Sequence, residues 1–330
     1  MTISEVPDDV LLEIFSFYRD EKCDKEYAWH ALVHVCRRWR CLVFASPRRL
    51  HLRLLCTNAS LFNLKPFKKV LDVWPELPIA IRVSDFGPWN PPLKYLVMAA
   101  LEQHDRVCKI DLRGYSTQLL EVFSAMEKPF PSLVKLVLAP IVILGSMIPD
   151  SFLGGSAPRL QSLGFGCIPL GCPIGKLLLS TPNLVFLRLG LIPRSGLGYT
   201  SPEAMVNGLS VLTRLKSLCL TFHLQTCRPQ SQQESGPQAP PPFSRVILPA
   251  LTEIDFFGDK EYLEDIVSRI DTPLLANITI SFIDRPVSVT FPLRDFITRA
   301  ETFGAYPKID TYTSGDRAEI EFRWWDGEGG

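Results

Sequence analysis

Pro182-Asn183-Leu184-Val185-Phe186-Leu187-Arg188-Leu189 sets two leucines three residues apart and a third two residues later, directly after a proline. The same phrase recurs as Val107-x-x-Ile110-x-Leu112, Leu133-x-x-Leu136-x-Leu138, Leu160-x-x-Leu163-x-Phe165, Leu215-x-x-Leu218-x-Leu220, Leu251-x-x-Ile254-x-Phe256 and Leu275-x-x-Ile278-x-Ile280, often introduced by proline. Successive starts lie 26, 27, 24, 31, 36 and 24 residues apart, a period that belongs to a repeat architecture. The last two apolar residues of each phrase alternate along a short strand and face inward, while the residues between them face outward. One such unit cannot bury its apolar face alone, and stacking against its neighbours supplies the missing wall. The expected fold is α/β, with a parallel sheet built by side-by-side repetition.

The spacing is close to the roughly 20 to 29 residues of leucine-rich repeats. The Asn or Cys that usually closes such a repeat is missing, since Tyr115, Ile141, Ile168, Ile192, His223, Asp259 and Ile283 stand in its place. Degenerate repeats forming a curved solenoid are therefore expected over 107–300, with 56–106 as a connecting region. The longest interval holds 228–245, where Pro229, Pro237, Pro240, Pro241 and Pro242 stand among Gln, Ser and Gly; this composition builds no core and reads as a flexible insertion. Residues 291–300 predict a short helix. Within 301–330, Ile309 to Tyr312 and Glu319 to Trp324 predict a hairpin around Ser314-Gly315-Asp316 that caps the stack.

Ahead of the repeats, residues 6–19 predict a helix, with Pro7 suited to a first turn and Asp8 and Asp9 at its positive end. Leu11, Ile14, Phe15 and Tyr18 form one apolar stripe. Val10, Leu12 and Phe17 fall outside it, so the helix calls for two partners, its own domain and something else. Helical spacing resumes at Tyr27 and runs through Ala28, Leu32, Val35, Trp39 and Leu42 or Val43, ending before Pro47.

Composition narrows the function classes. Lys plus Arg equals Asp plus Glu at 35 each, which provides no net field for nucleic acid or anionic lipid. Nine scattered cysteines without a Cys-x-x-Cys pair imply a reducing compartment, cytoplasmic or nuclear, and no structural zinc. Glu5, Asp8 and Asp9 replace the basic stretch of a signal peptide, and no apolar run approaches the roughly 20 residues of a membrane span. His30 and His34 share helical spacing, but Ala31 follows the first where a His-Glu-x-x-His motif needs Glu, and they read as ordinary helix histidines. His104 or His223 with Cys108 or Cys219 has no local support as a catalytic pair, and Gly164 and Gly166 read as strand glycines, not a phosphate loop. No catalytic residue, metal or cofactor is expected; what remains is a binding protein.

The stretch Val6-Pro7-Asp8-Asp9-Val10-Leu11-Leu12-Glu13-Ile14-Phe15 resembles the opening of the F-box, and Val35-Cys36-Arg37-Arg38-Trp39 resembles its Val-Cys-x-x-Trp element. With Ser46-Pro47-Arg48-Arg49-Leu50, Trp74-Pro75 and the degenerate repeats, the whole chain resembles the expanded F-box and leucine-rich-repeat proteins of mushroom-forming fungi. Val6 stands where Leu is commonest, and the loop from Arg19 to Trp29 is longer than in the compact F-box. The resemblance implies an F-box over 1–55 that binds a Skp-type adaptor, and through it a cullin and a RING subunit. The repeats would then select a protein substrate for ubiquitin transfer, the chain itself being non-catalytic. By the same resemblance, Pro7, Leu11, Leu12, Ile14, Val35, Cys36 and Trp39 contribute to the module and its docking face.

Outward strand residues would offer the substrate surface: Lys109, Asp111 and Arg113; Phe186 and Arg188; Glu253, Asp255 and Phe257. The rival reading is a ubiquitin-independent leucine-rich-repeat interaction scaffold whose N-terminal helices serve only as a cap. A cap should present a polar outer face, which Val10, Leu12 and Phe17 contradict.

Overall fold

The structure is a computed structural model that describes residues 6–17, 28–46, 53–57, 77–84, 87–140, 148–149, 151–169, 174–192, 201–222, 245–282, 291–300, 308–314 and 317–323. The fold is α/β, and its centre is a parallel sheet of nine strands. These are β1 (Leu54–Thr57), β2 (Ile79–Val83), β3 (Val107–Gly114), β4 (Lys135–Pro140), β5 (Ser162–Pro169), β6 (Phe186–Ile192), β7 (Ser217–Phe222), β9 (Glu253–Gly258) and β11 (Asn277–Phe282). An antiparallel hairpin, β12 (Lys308–Ser314) and β13 (Arg317–Arg323), continues the sheet in the order β11-β13-β12. A separate parallel pair joins β8 (Val246–Ile247) to β10 (Ile270–Asp271). Along the parallel part, each strand lies beside the next one of that sheet in the chain. All seven phrases form strands of this sheet, and the hairpin lies at its last edge.

From the second phrase onward, each phrase does two jobs. Its first apolar residue closes a turn: Leu133, Leu160, Leu184, Leu215, Leu251 and Leu275 donate their N–H to the carbonyl three residues back at 3.0 to 3.3 Å. In five of these six turns, proline (Pro131, Pro158, Pro182, Pro249 or Pro273) occupies the second position, where its fixed φ suits a type I turn. The following residue then binds the neighbouring repeat. Val134 donates to Cys108, Gln161 to Val134, Val185 to Gln161, Lys216 to Val185, Thr252 to Lys216 and Ala276 to Thr252, all at 2.8 or 2.9 Å. This single file of bonds sets the strand register. Residues at the second and third apolar positions, such as Leu136 and Leu138, are buried. Each contributes roughly 1.5 to 3 kcal/mol in removing its side chain from water.

The sheet begins earlier than the phrases do, because β1 and β2 lie within or beside 56–106. Leu54 and Cys56, then Ile79, Ile81 and Val83, alternate without the longer first step. A register shift between Ile79 and Ala80 absorbs the missing residue where β2 meets β3.

One face of the sheet is covered by helices whose buried side chains join a continuous core. They are α4 (Pro91–Glu102), α5 (Ser116–Ala125), α6 (Ile174–Leu179), α7 (Pro202–Leu209), α8 (Lys260–Arg269) and α9 (Phe291–Arg299). Local chemistry starts three of them: the side chains of Asn90, Ser201 and Asp259 accept the N–H of Leu93, Ala204 and Tyr262. At the other end of α8, Arg299 of α9 donates to the carbonyls of Val267 and Ile270 at 2.9 and 3.2 Å while pairing with Asp271 and Asp295 at 2.9 and 2.6 Å. Arg299→Met should cost about 2 to 3 kcal/mol in urea unfolding, because it strips four partners at once; Arg299→Lys should recover only part, lacking the fork.

Three helices precede the sheet: α1 (Asp8–Ser16), α2 (Ala28–Val35) and α3 (Arg37–Ala45). The single helix expected from Tyr27 to Pro47 is broken at Cys36, whose backbone is extended (φ −156°, ψ 170°) and whose Sγ accepts the N–H of Trp39 at 3.5 Å. No helix among the described residues is long and apolar enough to cross a membrane. The insertion expected at 228–245 lies outside the described residues except for Arg245, as do Tyr18, Trp74 and Pro75.

Candidate functional site

Two surfaces concentrate the residues singled out from the sequence. The first is on α1 to α3. Leu11, Leu12 and Phe15 are buried, and the Phe15 and Trp39 rings meet at 4.7 Å between centroids. Arg38 ties α3 to the start of α1, reaching the Asp8 carboxylate and the Val6 carbonyl, each at 2.6 Å, while Arg40 donates to the Val33 carbonyl at 2.9 Å. These arginines are structural pins.

The opposite side of α1 is apolar and open. Val10, Ile14 and Phe17 are 47%, 44% and 79% exposed, and at helical spacing they form one stripe that continues back to exposed Pro7. Val35 is 59% exposed beside exposed Cys36, at the end of α2 that leads directly into Arg38. This corrects the sequence reading in one respect: Leu12 belongs to the core and Ile14 to the outer stripe. Both arcs of α1 are apolar, so helical arithmetic alone could not say which one the domain would take. Of the seven residues expected here, Pro7, Ile14, Val35 and Cys36 are exposed, Trp39 is half-buried, and Leu11 and Leu12 are buried.

The second surface is the sheet face that the described helices leave uncovered. Here the outward residues align in rows across the strands: Arg82, Asp111, Val137, Gly164, Arg188, Cys219, Asp255 and Thr279 in one row by direct register. Lys109 and Arg113 flank Asp111 on β3, Phe186 shares β6 with Arg188, and Glu253 and Phe257 flank Asp255 on β9. All eight residues expected on this face lie on it. Lys135 also pairs with Asp111 at 3.4 Å. Gly164 and Gly166 leave the middle flat: a Cβ at either would sit 3.2 Å from the Val137 side chain or 3.3 Å from the Ala139 Cα.

Cys219 lies in the same face and donates to the Asp255 carboxylate at 3.3 Å. Burial, together with the charge and hydrogen bond of Asp255, pushes its thiol up from the ordinary range, against the opposing pull of Arg188 and Thr221. Burial alone pushes the Cys56 thiol up. Cys108 donates to the Ile79 carbonyl at 3.4 Å, His104 faces Asp105 at 3.2 Å, and His223 lies outside the described residues. Iodoacetamide at neutral pH should therefore modify exposed Cys36 and Cys41 and spare Cys56, Cys108 and Cys219 until denaturant is added, as read by peptide mass mapping. Because a raised folded-state value favours the protonated thiol in the fold, the contributions of Cys56 and Cys219 to stability are full below the ordinary thiol range and decline as pH rises through and above it.

No family model matches the chain, and no curated protein matches it.

Proposed function

We propose that the chain is the substrate-recognition subunit of a Skp/cullin/F-box-type ubiquitin ligase. In this reading α1 to α3 are an F-box that docks a Skp-type adaptor, and through it a cullin and a RING subunit, in the cytoplasm or nucleus. The parallel sheet is the inner wall of a curved leucine-rich-repeat solenoid, and its open face receives a protein substrate.

The observation that carries the reading is the outer stripe of α1. A small helical unit with its own buried contacts has no folding need to expose Val10, Ile14 and Phe17 together, whereas a docking helix does. Pro7, Ile14, Val35 and Cys36 are assigned to the docking face. Leu11 and Leu12 hold α1 to its neighbours, and Trp39 supports it through Phe15.

Affinity purification of the tagged chain from its host, with mass spectrometry, tests this. Recovery of a Skp-type adaptor and a cullin is expected, with Cys36 shielded from iodoacetamide in the complex. Protein partners without adaptor or cullin would favour the ubiquitin-independent scaffold instead.

A further inference from the structure

From β2 to β11 the open sheet face is electrically polar. At their outward positions, strands β2 to β4 carry Arg82, Lys109, Arg113 and Lys135 together with Asp111. Four strands on, β9 presents Glu253 and Asp255, and the outward positions of β7, β9 and β11 hold no cation. Between the two ends lies a low floor containing Gly164 and Gly166, from which Phe186 rises 53% exposed beside exposed Arg188.

From this arrangement we infer the chemistry of the occupant: an extended peptide segment of a partner protein that crosses the strands, acidic at the end over β2 to β4, apolar in the middle against Phe186, and basic at the end over β9. The inference rests on reading this face as the substrate surface. From β3 to β9 is five inter-strand steps, or about 24 Å at the usual strand spacing, which an extended segment of about seven residues spans. Flanking charges of both signs fix direction, because reversing the segment would set like charges together at both ends. Gly166, the partly exposed one of the two glycines, lets the segment's backbone approach the sheet closely at that point. Nucleic acid does not fit, since its uniform negative charge would meet Glu253 and Asp255.

Selection from a random nine-residue peptide phage library on the immobilised full-length chain tests the inference. Enriched peptides should carry acidic residues at one end, basic residues at the other, and an aromatic or aliphatic residue between. Their synthetic versions should bind at least about tenfold more weakly at 0.5 M than at 0.05 M salt by fluorescence anisotropy. Glu253→Lys/Asp255→Lys should weaken those peptides at least tenfold and, in a fresh selection, enrich peptides acidic at both ends. Failure to enrich any peptide, enrichment without charge polarity, or binding indifferent to the swap would overturn the inference. So would a concentration-dependent dimer in sedimentation that the swap abolishes, which would make a second copy of the chain the occupant. Adaptor capture by the swapped variant is measured in parallel: its loss from wild type as well would defeat the ligase reading and leave the peptide result standing.

Discussion

Val10→Asp/Ile14→Asp/Phe17→Asp is expected to weaken capture of a Skp-type adaptor by about a thousandfold or more, with a melting temperature within about 2 °C of wild type. Interface anchors of this kind each contribute about 2 kcal/mol or more when buried against a partner, so three of them exceed the 4 kcal/mol that a thousandfold represents. Their side chains are exposed in the free chain, and although Phe17 is the C-cap residue of α1, its capping contact is a backbone N–H to the Ile14 carbonyl that the substitution leaves in place. The control lies on the same helix. Leu11→Asp should also abolish capture, but by placing a carboxylate in a site only 1% exposed, and circular dichroism would show the helices lost with it. Adaptor binding of the triple variant at wild-type strength, measured by calorimetry, would remove the docking face from the proposal.

The second large effect is inside the sheet. Phe222 is fully buried against Phe256 and Tyr262, with ring centroids 5.7 and 4.7 Å away. Phe222→Ala should cost about 3 to 5 kcal/mol in urea unfolding through lost contact and the cavity left behind. Gly258 on the neighbouring strand explains why that ring can sit where it does: a Cβ there would come within 2.5 Å of the Phe222 Cδ2. Gly258→Ala should cost about 1 to 3 kcal/mol by itself and markedly less in the Phe222→Ala background, because the ring it collides with is gone. Additive costs in that cycle would mean that the glycine is needed for another reason.

Much of the sheet is legible in the sequence. Alternation and a 24 to 36 residue period reach the sequence directly, because side chains on a strand must choose a face every second residue. Leu184, Leu187 and Leu189 therefore announced β6, and the outward Phe186 and Arg188 came with them. Strands β1 and β2 were missed because Leu54, Cys56, Ile79 and Ile81 keep the alternation but omit the turn-closing step. The buried residue three before each leading leucine, such as Phe130, Thr181 or Leu248, carries no common side-chain type and so left no mark, although the prolines beside it hinted at the turn. On α1 to α3 the apolar content was legible but not its partition, since Leu12 and Ile14 are equally greasy and only packing assigns one inside and one out. Cys36 escaped as a helix start because a thiol is a weak acceptor and lies outside the usual Ser, Thr, Asp and Asn set. Charge polarity across the open face required the strand register, which joins residues from Arg82 to Asp255 that the sequence leaves far apart.

The single file of hydrogen bonds from Ala276 back to Cys108 runs through main-chain atoms only, and the buried leucines that steady it point away from the open face. What holds the strands in order and what they display are thus written in separate letters of the same short phrase. Outward residues such as Lys109, Phe186 or Glu253 are free to be exchanged one at a time without disturbing the file, and the returning segments are free to lengthen, as they do between β7 and β9. On the proposed reading, a scaffold of this kind lets the recognised target change while the fold stands still.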